Sequence, residues 1–407
     1  MLEVKSSKLQ AVILAAGKST RTYPLTLTKP KPLLKILDKT ILDHNLDQLR
    51  GIVDDVVIIV GYMKDAIISK LGKIYHGIKL TYVEQKEQNG TGGAVLLAKN
   101  YLHDRFIVMG GDDLFSRHDI IRCSEKKYSI LAQEVKTPEK FGVLEVKGNK
   151  LINIEEKPQF PKSNLANTGL YVVDKKIFSY AIKKSSRGEL EFTDYIKQLI
   201  KDETVSVETV EDYWLPIGYP WNYLEANVFM LKNLEKLHNG KPVIKGKIEQ
   251  NVTVSGFVYV DEGTVIKANS YIEGPVYIGK ECEIGPFSHL RPETIIMNKC
   301  RVGKMELCDV VVMDNAKSKH TSYAAHSVLG ENVNIGAGLI TADFRHDGKN
   351  HITLINGQKI DSGRRKLGAF IGDNVKTGIG TLIYPGRKLW PNTATTPGEI
   401  VKEDKTE

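Results

Sequence analysis

Residues 248–302, IEQNVTVSGFVYVDEGTVIKANSYIEGPVYIGKECEIGPFSHLRPETIIMNKCRV, place an aliphatic side chain at every sixth position: Ile248, Val254, Val260, Ile266, Ile272, Ile278, Ile284, Leu290, Ile296 and Val302. A period of six belongs neither to an α-helix nor to a single strand, and repetition at a fixed short period marks a chain stacked on itself. Four residues after most of these positions stands a compact or β-branched side chain, among them Val252, Val258, Thr264, Ser270, Val276, Cys282, Ser288, Thr294 and Cys300. A large aliphatic turned inward and a compact residue near each corner suit a three-sided coil with six residues per side. Eighteen residues per turn would stack Cys282 on Cys300 at about the 4.8 Å strand spacing. A disulfide there is conceivable in geometry, but two buried reduced thiols are the expected state.

This pattern resembles the left-handed parallel β-helix of hexapeptide-repeat proteins. Its register is expected to slip at Asp314, resume at "VLGENVNIGAG" and return as "AFIGDNVKTGIGTLIYPG", leaving about residues 341–366 as a projecting loop. Upstream, from Gln10 to about Leu237, the period is different. Apolar runs such as "AVILAA", "DVVIIV" and "RFIVMGG" alternate with helical patterns such as "ILDHNLDQL" and "GGAVLLAKNYL". That alternation predicts an α/β domain with a mostly parallel, Rossmann-like sheet, whose ligands bind beyond the carboxyl ends of the strands. The expected organisation is a domain over 1–237, a linker at 238–242, the coil over 243–397 and a charged tail over 398–407.

Composition narrows the partners. The chain has 407 residues, 41% of them apolar, and a formal charge of +8. Its basic residues are scattered with no run of five like charges, which favours phosphorylated small molecules over nucleic acid. No apolar run is long enough to span a membrane, and the opening "MLEVKSSKLQ" lacks an apolar signal core, so the expected location is cytoplasmic and no membrane partner is expected. Four cysteines without metal-ligand spacing argue against a zinc site or a disulfide framework.

"GKST" at 17–20 is not a phosphate-binding P-loop, because that motif needs glycine at the position of Val12. "LAAGKSTR" followed by "KPKPLL" instead resembles the signature of sugar-1-phosphate nucleotidylyltransferases, which join a nucleoside triphosphate to a sugar 1-phosphate and release pyrophosphate. The resemblance covers residues 10 to about 237. It implies nucleotide contacts from Leu14, Ala15, Gly17, Gln85, Gly90 and Thr91, catalytic charge neutralisation by Arg21 and Lys31, and Mg²⁺ bound by Asp112 with Asp113 turned away. Sugar-phosphate contacts would come from Gly142, Glu156, Lys157 and Asn167. Two residues depart from this pattern. Ser19 replaces a usual glycine, and Pro216 in "YWLPIGYPWNYLEAN" stands where a second carboxylate ligand is usual, so the first activity is expected to be impaired.

"SKHTSYAAHSVLGENVNIGAG" and "SGRRKLGAFIGDNVKTGI" resemble the archaeal form of bifunctional enzymes that also N-acetylate glucosamine 1-phosphate with acetyl-CoA. The match implies His320 as base, Tyr323 as its neighbour, and sugar-phosphate contacts from Arg291, Asn334, Asp343 and Lys349; His326 has no counterpart. Asparagine is usual at 343, and bacterial relatives carry a lysine near Cys308. Arg364, Arg365 and Lys366 fit either phosphate binding or a solvated loop. The resemblance further implies a homotrimer through the coil. Two other readings stay open at this point: a nucleotidylyltransferase whose coil only trimerises the chain, and a degenerate sugar-nucleotide-binding regulator.

Overall fold

The computed structural model describes residues 9–407; the opening stretch read above for a signal core, residues 1–8, lies outside the described residues. Two compact units emerge. One comprises the chain up to Lys18, Pro30–Leu33 and Thr40–Pro216; the other comprises Ser19–Lys29, Leu34–Lys39 and Ile217–Glu407.

The first unit is built on a ten-stranded sheet. Leu9–Ala15 lies between Val53–Val60 and Arg105–Gly110, parallel to both, and Ile78–Glu84 extends the parallel set beyond Val53–Val60. Ala11, Val12 and Ile13 are completely buried, which is why this strand reads as an unbroken apolar run. The other half of the sheet departs from expectation. Leu165–Asp174 runs antiparallel to both Arg105–Gly110 and Ser129–Glu134, and Gly142–Lys147 forms a hairpin with Lys150–Glu156. The sheet is therefore mixed with a parallel centre, not mostly parallel. The reason is local: Lys147 and Lys150 face each other across Gly148 and Asn149, and so short a connection joins only antiparallel strands. The first helix, Ile41–Leu49, begins in a capping box in which the Thr40 hydroxyl accepts from the Asp43 amide and the Asp43 carboxylate accepts from the Thr40 amide.

In the second unit, the helix Pro220–Leu237 starts with proline, which is preset for a first helical turn, and a turn follows at 238–240. From Val243 to Val302 the strands shorten to two or three residues and pair in parallel with strands one turn onward. Lys247–Ile248 pairs with Val265–Ile266, Thr253–Ser255 with Tyr271–Glu273, and Val258–Val260 with Val276–Ile278. Three parallel ladders result. The one through Lys247, Val265, Glu283, Arg301 and Lys317 continues through bridges at Asn334, Lys376 and Ala394. The aliphatic positions of the repeat from Val260 to Val302 are buried in one continuous core, each contributing about 1.5–3 kcal/mol. Corners recur with left-handed backbone at Asn251 and Asn269, and again at Asn315, Asn332, Asn374 and Asn392; asparagine tolerates that conformation better than most side chains.

The register tightens somewhat before Asp314: Ile295 already pairs with Val311 and Arg301 with Lys317. The projecting segment contains an antiparallel hairpin, Ile352–Ile355 with Gln358–Asp361, after which Val328 pairs with Phe370. Residues 398–407 do not hang free as a tail. Ile400–Val401 pairs with Leu382–Ile383, Lys405 bridges Leu389, and Asp404 meets the buried Lys388 ammonium at 2.9 Å. All four cysteines are free thiols; those of Cys282 and Cys300 donate to the carbonyls of Met297 and Met313.

Candidate functional sites

The parallel centre of the first sheet gathers the nucleotide-contact candidates at its carboxyl edge. Leu14 lies beside Gly110, and the Gly111 amide donates to the Leu14 carbonyl at 2.9 Å. A Cβ on Gly111 would come within 2.8 Å of the Ile13 side chain, so only glycine fits there. The Ala16 carbonyl accepts from the Tyr62 amide and from Gln88 Nε2. Gln85, buried, donates from Nε2 to the Asn89 side chain at 3.0 Å and to the Gly90 carbonyl at 3.1 Å. The "NGTGG" turn is shaped by its packing. Gly90 has φ 100° and a Cβ there would meet the Leu190 carbonyl at 2.4 Å, while the Thr91 hydroxyl accepts from the Phe192 amide at 3.0 Å. Gly17 has open space around its Cα.

Lys31 is almost fully buried and its ammonium lies 2.7 Å from Asp112 Oδ2, whose side chain is 42% exposed. Asp113 is turned away, as expected: its carboxylate accepts from Trp214 Nε1 at 3.2 Å and its carbonyl from Asn45 Nδ2 at 2.8 Å. Pro216 follows the strand Trp214–Leu215, which pairs antiparallel with Leu114–Phe115 directly after Asp113. Among the described residues no three His, Cys, Asp or Glu side chains converge as a metal cage. Mg²⁺ is commonly held by one or two carboxylates together with substrate phosphate oxygens, and the half-exposed Asp112 fits that use.

The sugar-side candidates cluster on the antiparallel half. Gly142 pairs directly with Glu156, and a Cβ on Gly142 would meet Glu156 Oε2 at 3.1 Å and Asn167 Cβ at 3.3 Å. Asn167 donates to the Tyr171 hydroxyl and accepts from the Gly169 amide. Burial pushes the Glu156 carboxyl up, opposed by the cations Lys157 and Arg187 at 3.9 and 3.7 Å. The structure adds Arg187, absent from the expected set. Its guanidinium reaches Glu191 at 2.6 Å and lies 3.7 Å from both Glu156 and Glu189. An arginine in a loop 31 residues beyond Glu156 carries no motif, so sequence offered no handle on it.

Arg21 sits on the turn Thr20–Thr22 in the second unit, its guanidinium 5.6 Å from the Tyr219 ring centroid, a cation–π distance. Ser19, before it, adopts left-handed backbone at φ 53°, ψ 47°.

On the coil, Arg291, Tyr323 and Asp343 come together and Asn334 and Lys349 do not join them. Arg291 donates to Glu306 at 3.0 Å. Burial pushes the Tyr323 phenol up, with Asp343, Glu306 and Cys308 adding to the shift and Arg291 opposing it. Asn334 instead bridges Lys317 and Lys376 on another ladder, in a groove lined by Arg301 and Lys319. Lys349 lies in the projecting loop, where its amide donates to Asp347. His320 is exposed at the bend between Lys317–Ser318 and Ser322–Leu329.

His326, which had no counterpart in the resemblance, proves central to this cluster. Its Nδ1 is 2.6 Å from Asp309 and its Nε2 3.2 Å from Asp343, with all three side chains largely buried. Asp309 also accepts from Arg364, which reaches on to Glu225. Asp309, His326 and Asp343 recur at an interval of 17 residues, one shortened turn of the coil. That interval is the signal by which the cluster was readable. Beside it, burial raises the Cys308 thiol, with Arg291 and Lys366 the cations opposing the shift.

The family profile described as "Nucleotidyl transferase" matches residues 10–233. The chain is 43% identical over 388 residues to "Bifunctional protein GlmU" of Methanocaldococcus jannaschii, covering 94% of this chain and 92% of that one. It is 41% identical over 406 residues to "Bifunctional sugar-1-phosphate nucleotidylyltransferase/acetyltransferase" of Sulfurisphaera tokodaii, covering 97% and 98%. A glucose-1-phosphate thymidylyltransferase of Streptomyces antibioticus is 33% identical over 347 residues, or 81% of this chain and 94% of its own. With a profile over more than half its length and relatives aligned from end to end, the chain belongs to the nucleotidyl transferase family and, within it, to the bifunctional sugar-1-phosphate nucleotidylyltransferase/acetyltransferase group.

Proposed function

We propose that the chain is a bifunctional enzyme: residues 10–237 transfer a nucleotidyl group from UTP or dTTP to a sugar 1-phosphate, and the coil N-acetylates an amino-sugar 1-phosphate with acetyl-CoA. The observation that carries this reading is the alignment of 97% of the chain with a relative whose name states both activities.

In the first reaction an oxygen of the sugar phosphate attacks the α-phosphorus of the triphosphate, the bond to the bridging oxygen breaks, and pyrophosphate leaves. Lys31, desolvated and held by Asp112, and Arg21 on its turn supply positive charge where charge develops on the phosphates. Asp112 would hold Mg²⁺, which when bound supplies further neutralisation of the triphosphate. Gly142 lets Glu156 and Asn167 approach the backbone closely, and those two side chains would meet the sugar hydroxyl groups. In the second reaction His320 takes a proton from the sugar ammonium, the freed nitrogen bonds to the thioester carbon, and as the carbon–sulfur bond breaks the nitrogen's second surplus proton passes to the departing sulfur, which leaves as CoA thiol. Arg291 serves the sugar phosphate, and Lys366 provides a cation beside Cys308, where bacterial relatives carry lysine.

The three ladders support a left-handed parallel β-helix that assembles as a homotrimer, and a cytoplasmic setting suits these substrates. Among the described residues no helix is long and apolar enough to cross a membrane. Light scattering is expected to report three chains per particle; a monomer at every concentration refutes the trimer. Incubation with acetyl-CoA and glucosamine 1-phosphate, then UTP and Mg²⁺, is expected to yield the acetylated sugar phosphate and then its nucleotide derivative by mass. Neither product, together with tight nucleotide binding, would mark a regulator and overturn the enzymatic reading.

A further inference from the structure

The stretch that carries Arg21 belongs by its contacts to the coil unit, and the contacts are charged. The Lys29 ammonium, 14% exposed, sits between two carboxylates, Glu331 at 2.6 Å and Asp373 at 2.8 Å. The Thr28 hydroxyl donates to the same Asp373 oxygen. The other Asp373 oxygen accepts from the Glu331 amide at 2.8 Å, which fixes the carboxylate on the coil. One turn earlier, Asp314 takes the Lys35 ammonium and is itself fixed by the Asn298 amide at 2.9 Å. Backbone bonds from Asn332 to Asp314 and from Asn374 to Glu331 stack these acids on successive turns at one corner. Neutral bonds complete the attachment: Asn356 Nδ2 donates to the Thr20 hydroxyl, the Tyr223 hydroxyl to the Lys35 carbonyl, and the Leu37 amide to the buried Asn227. Within the stretch, the hydroxyls of Thr22 and Thr26 both donate to the Ser19 carbonyl and close the turn on itself.

Nothing in the acetyl-transfer reading needs this column of acids, and Lys29 and Lys35 have no part in the nucleotidyl-transfer residue set. We propose that Asp314, Glu331 and Asp373 form an anchoring column that positions the Arg21 turn, so that nucleotidyl transfer depends on positioning residues of the C-terminal coil. The inference rests on Arg21 acting at the triphosphate. Its physical basis is the cost of leaving a desolvated ammonium or carboxylate without its partner: the arrangement is held only while both signs are present. A turn released from it moves its guanidinium, and displacement by about 1 Å is enough to cost roughly 100-fold in rate.

The test uses the full chain and three variants. Asp373→Asn keeps shape and can still accept from the Glu331 amide, but removes the charge facing Lys29 and Thr28. Lys29→Met leaves the coil untouched, so it reads the anchor even where a coil variant folds poorly; Lys29→Arg is the conservative control. Hydrogen exchange over residues 20–28 is expected to quicken at least about 10-fold in Asp373→Asn and Lys29→Met but not in Lys29→Arg, with exchange in the coil core unchanged. Pyrophosphate release is expected to fall at least about 10-fold in the first two, mainly in kcat, while acetyl transfer stays within about two-fold of the parent. Unchanged exchange over 20–28 in both charge-removing variants overturns the anchor, and quickened exchange with undiminished pyrophosphate release overturns its positioning role. A parent chain that releases no pyrophosphate instead refutes the nucleotidyl-transfer reading, and the exchange measurement then decides the anchor by itself.

Discussion

Replacing Pro216 by aspartate tests the reading of the first site most directly. The strand Trp214–Leu215 pairs antiparallel with Leu114–Phe115, so Pro216 leaves the pairing on the side from which Asp112 and Asp113 enter it. Asp113 cannot serve as a second ligand, because its carboxylate is taken by Trp214 Nε1 and its backbone by Asn45. Asp112 lies 2.7 Å from the Lys31 ammonium. The family resemblance puts a carboxylate ligand at 216, so Pro216→Asp would return that ligand and add a negative charge to the site. Losing even an outer partner of a metal ligand typically costs about 10- to 100-fold, so Pro216→Asp is expected to raise pyrophosphate release at limiting Mg²⁺ by at least about 10-fold and to lower the Mg²⁺ concentration for half-maximal rate. Mn²⁺ binding followed by paramagnetic resonance gives the same comparison without turnover. A variant no faster than the parent at any Mg²⁺ concentration, with unchanged Mn²⁺ affinity, would refute the argument, as would a parent already as fast as a two-carboxylate relative.

Further outcomes follow from other residues. Ser19→Gly removes a left-handed strain of roughly 1–2 kcal/mol against about 0.4–1 kcal/mol of added unfolded-chain entropy, so a small rise in the melting midpoint is expected, with a smaller gain in nucleotidyl transfer than Pro216→Asp gives; a fall in the midpoint contradicts the strain assignment. His320→Ala is expected to abolish acetyl transfer and leave CoA binding by calorimetry nearly intact, and full activity in that variant removes His320 from the mechanism. Because burial holds the Glu156 proton more tightly in the folded chain than in the unfolded one, its ionisation costs stability above the ordinary carboxylate range and not below it. Glu156→Gln is therefore expected to raise the melting midpoint at about pH 7 and to change it less at about pH 4, and the opposite order in a pH series of thermal melts contradicts the burial argument.

The parts of the fold that were legible in sequence are those where one periodic constraint acts on many residues. The six-residue spacing of aliphatics from Ile248 to Val302 is a packing requirement repeated at every side of the coil, and the buried run at 11–13 announces a strand covered on both faces. The antiparallel half of the first sheet was not legible, because its direction is set by the two-residue connection at Gly148 and by the path of Leu165–Asp174, neither of which alters the alternation of strand and helix. The family resemblance pointed to Lys31, Asp112, Gly142 and Glu156, and the structure brings Lys31 to Asp112 and Gly142 to Glu156. Asn334 lies on a different ladder from Arg291, a separation that motif resemblance does not reveal because closeness along the chain does not say which ladder a residue occupies. The attachment of residues 19–29 to the coil joins positions more than 300 apart, as Thr28 to Asp373, and lies beyond any local pattern.

The departures from family pattern differ between the two sites once their surroundings are compared. Asp343 brings a charge where asparagine is usual, yet His326 faces its carboxylate at 3.2 Å, and Asp309, which holds the other imidazole nitrogen, is in turn held by Arg364. Cys308 lacks the lysine of bacterial relatives, yet Lys366 and Arg291 are the cations that act on its thiol. In each case a residue of the projecting loop or of an adjacent turn of the coil faces the departing side chain. Pro216 itself offers no charge and no side-chain ligand atom; beside the same strand pairing, Asp113 accepts from Trp214, and Asp112 lies 2.7 Å from the Lys31 ammonium. The departing residues of the coil site have partners in the structure, whereas proline at 216 supplies no ligand atom, and the metal dependence of nucleotidyl transfer is the measurement that tests the consequence.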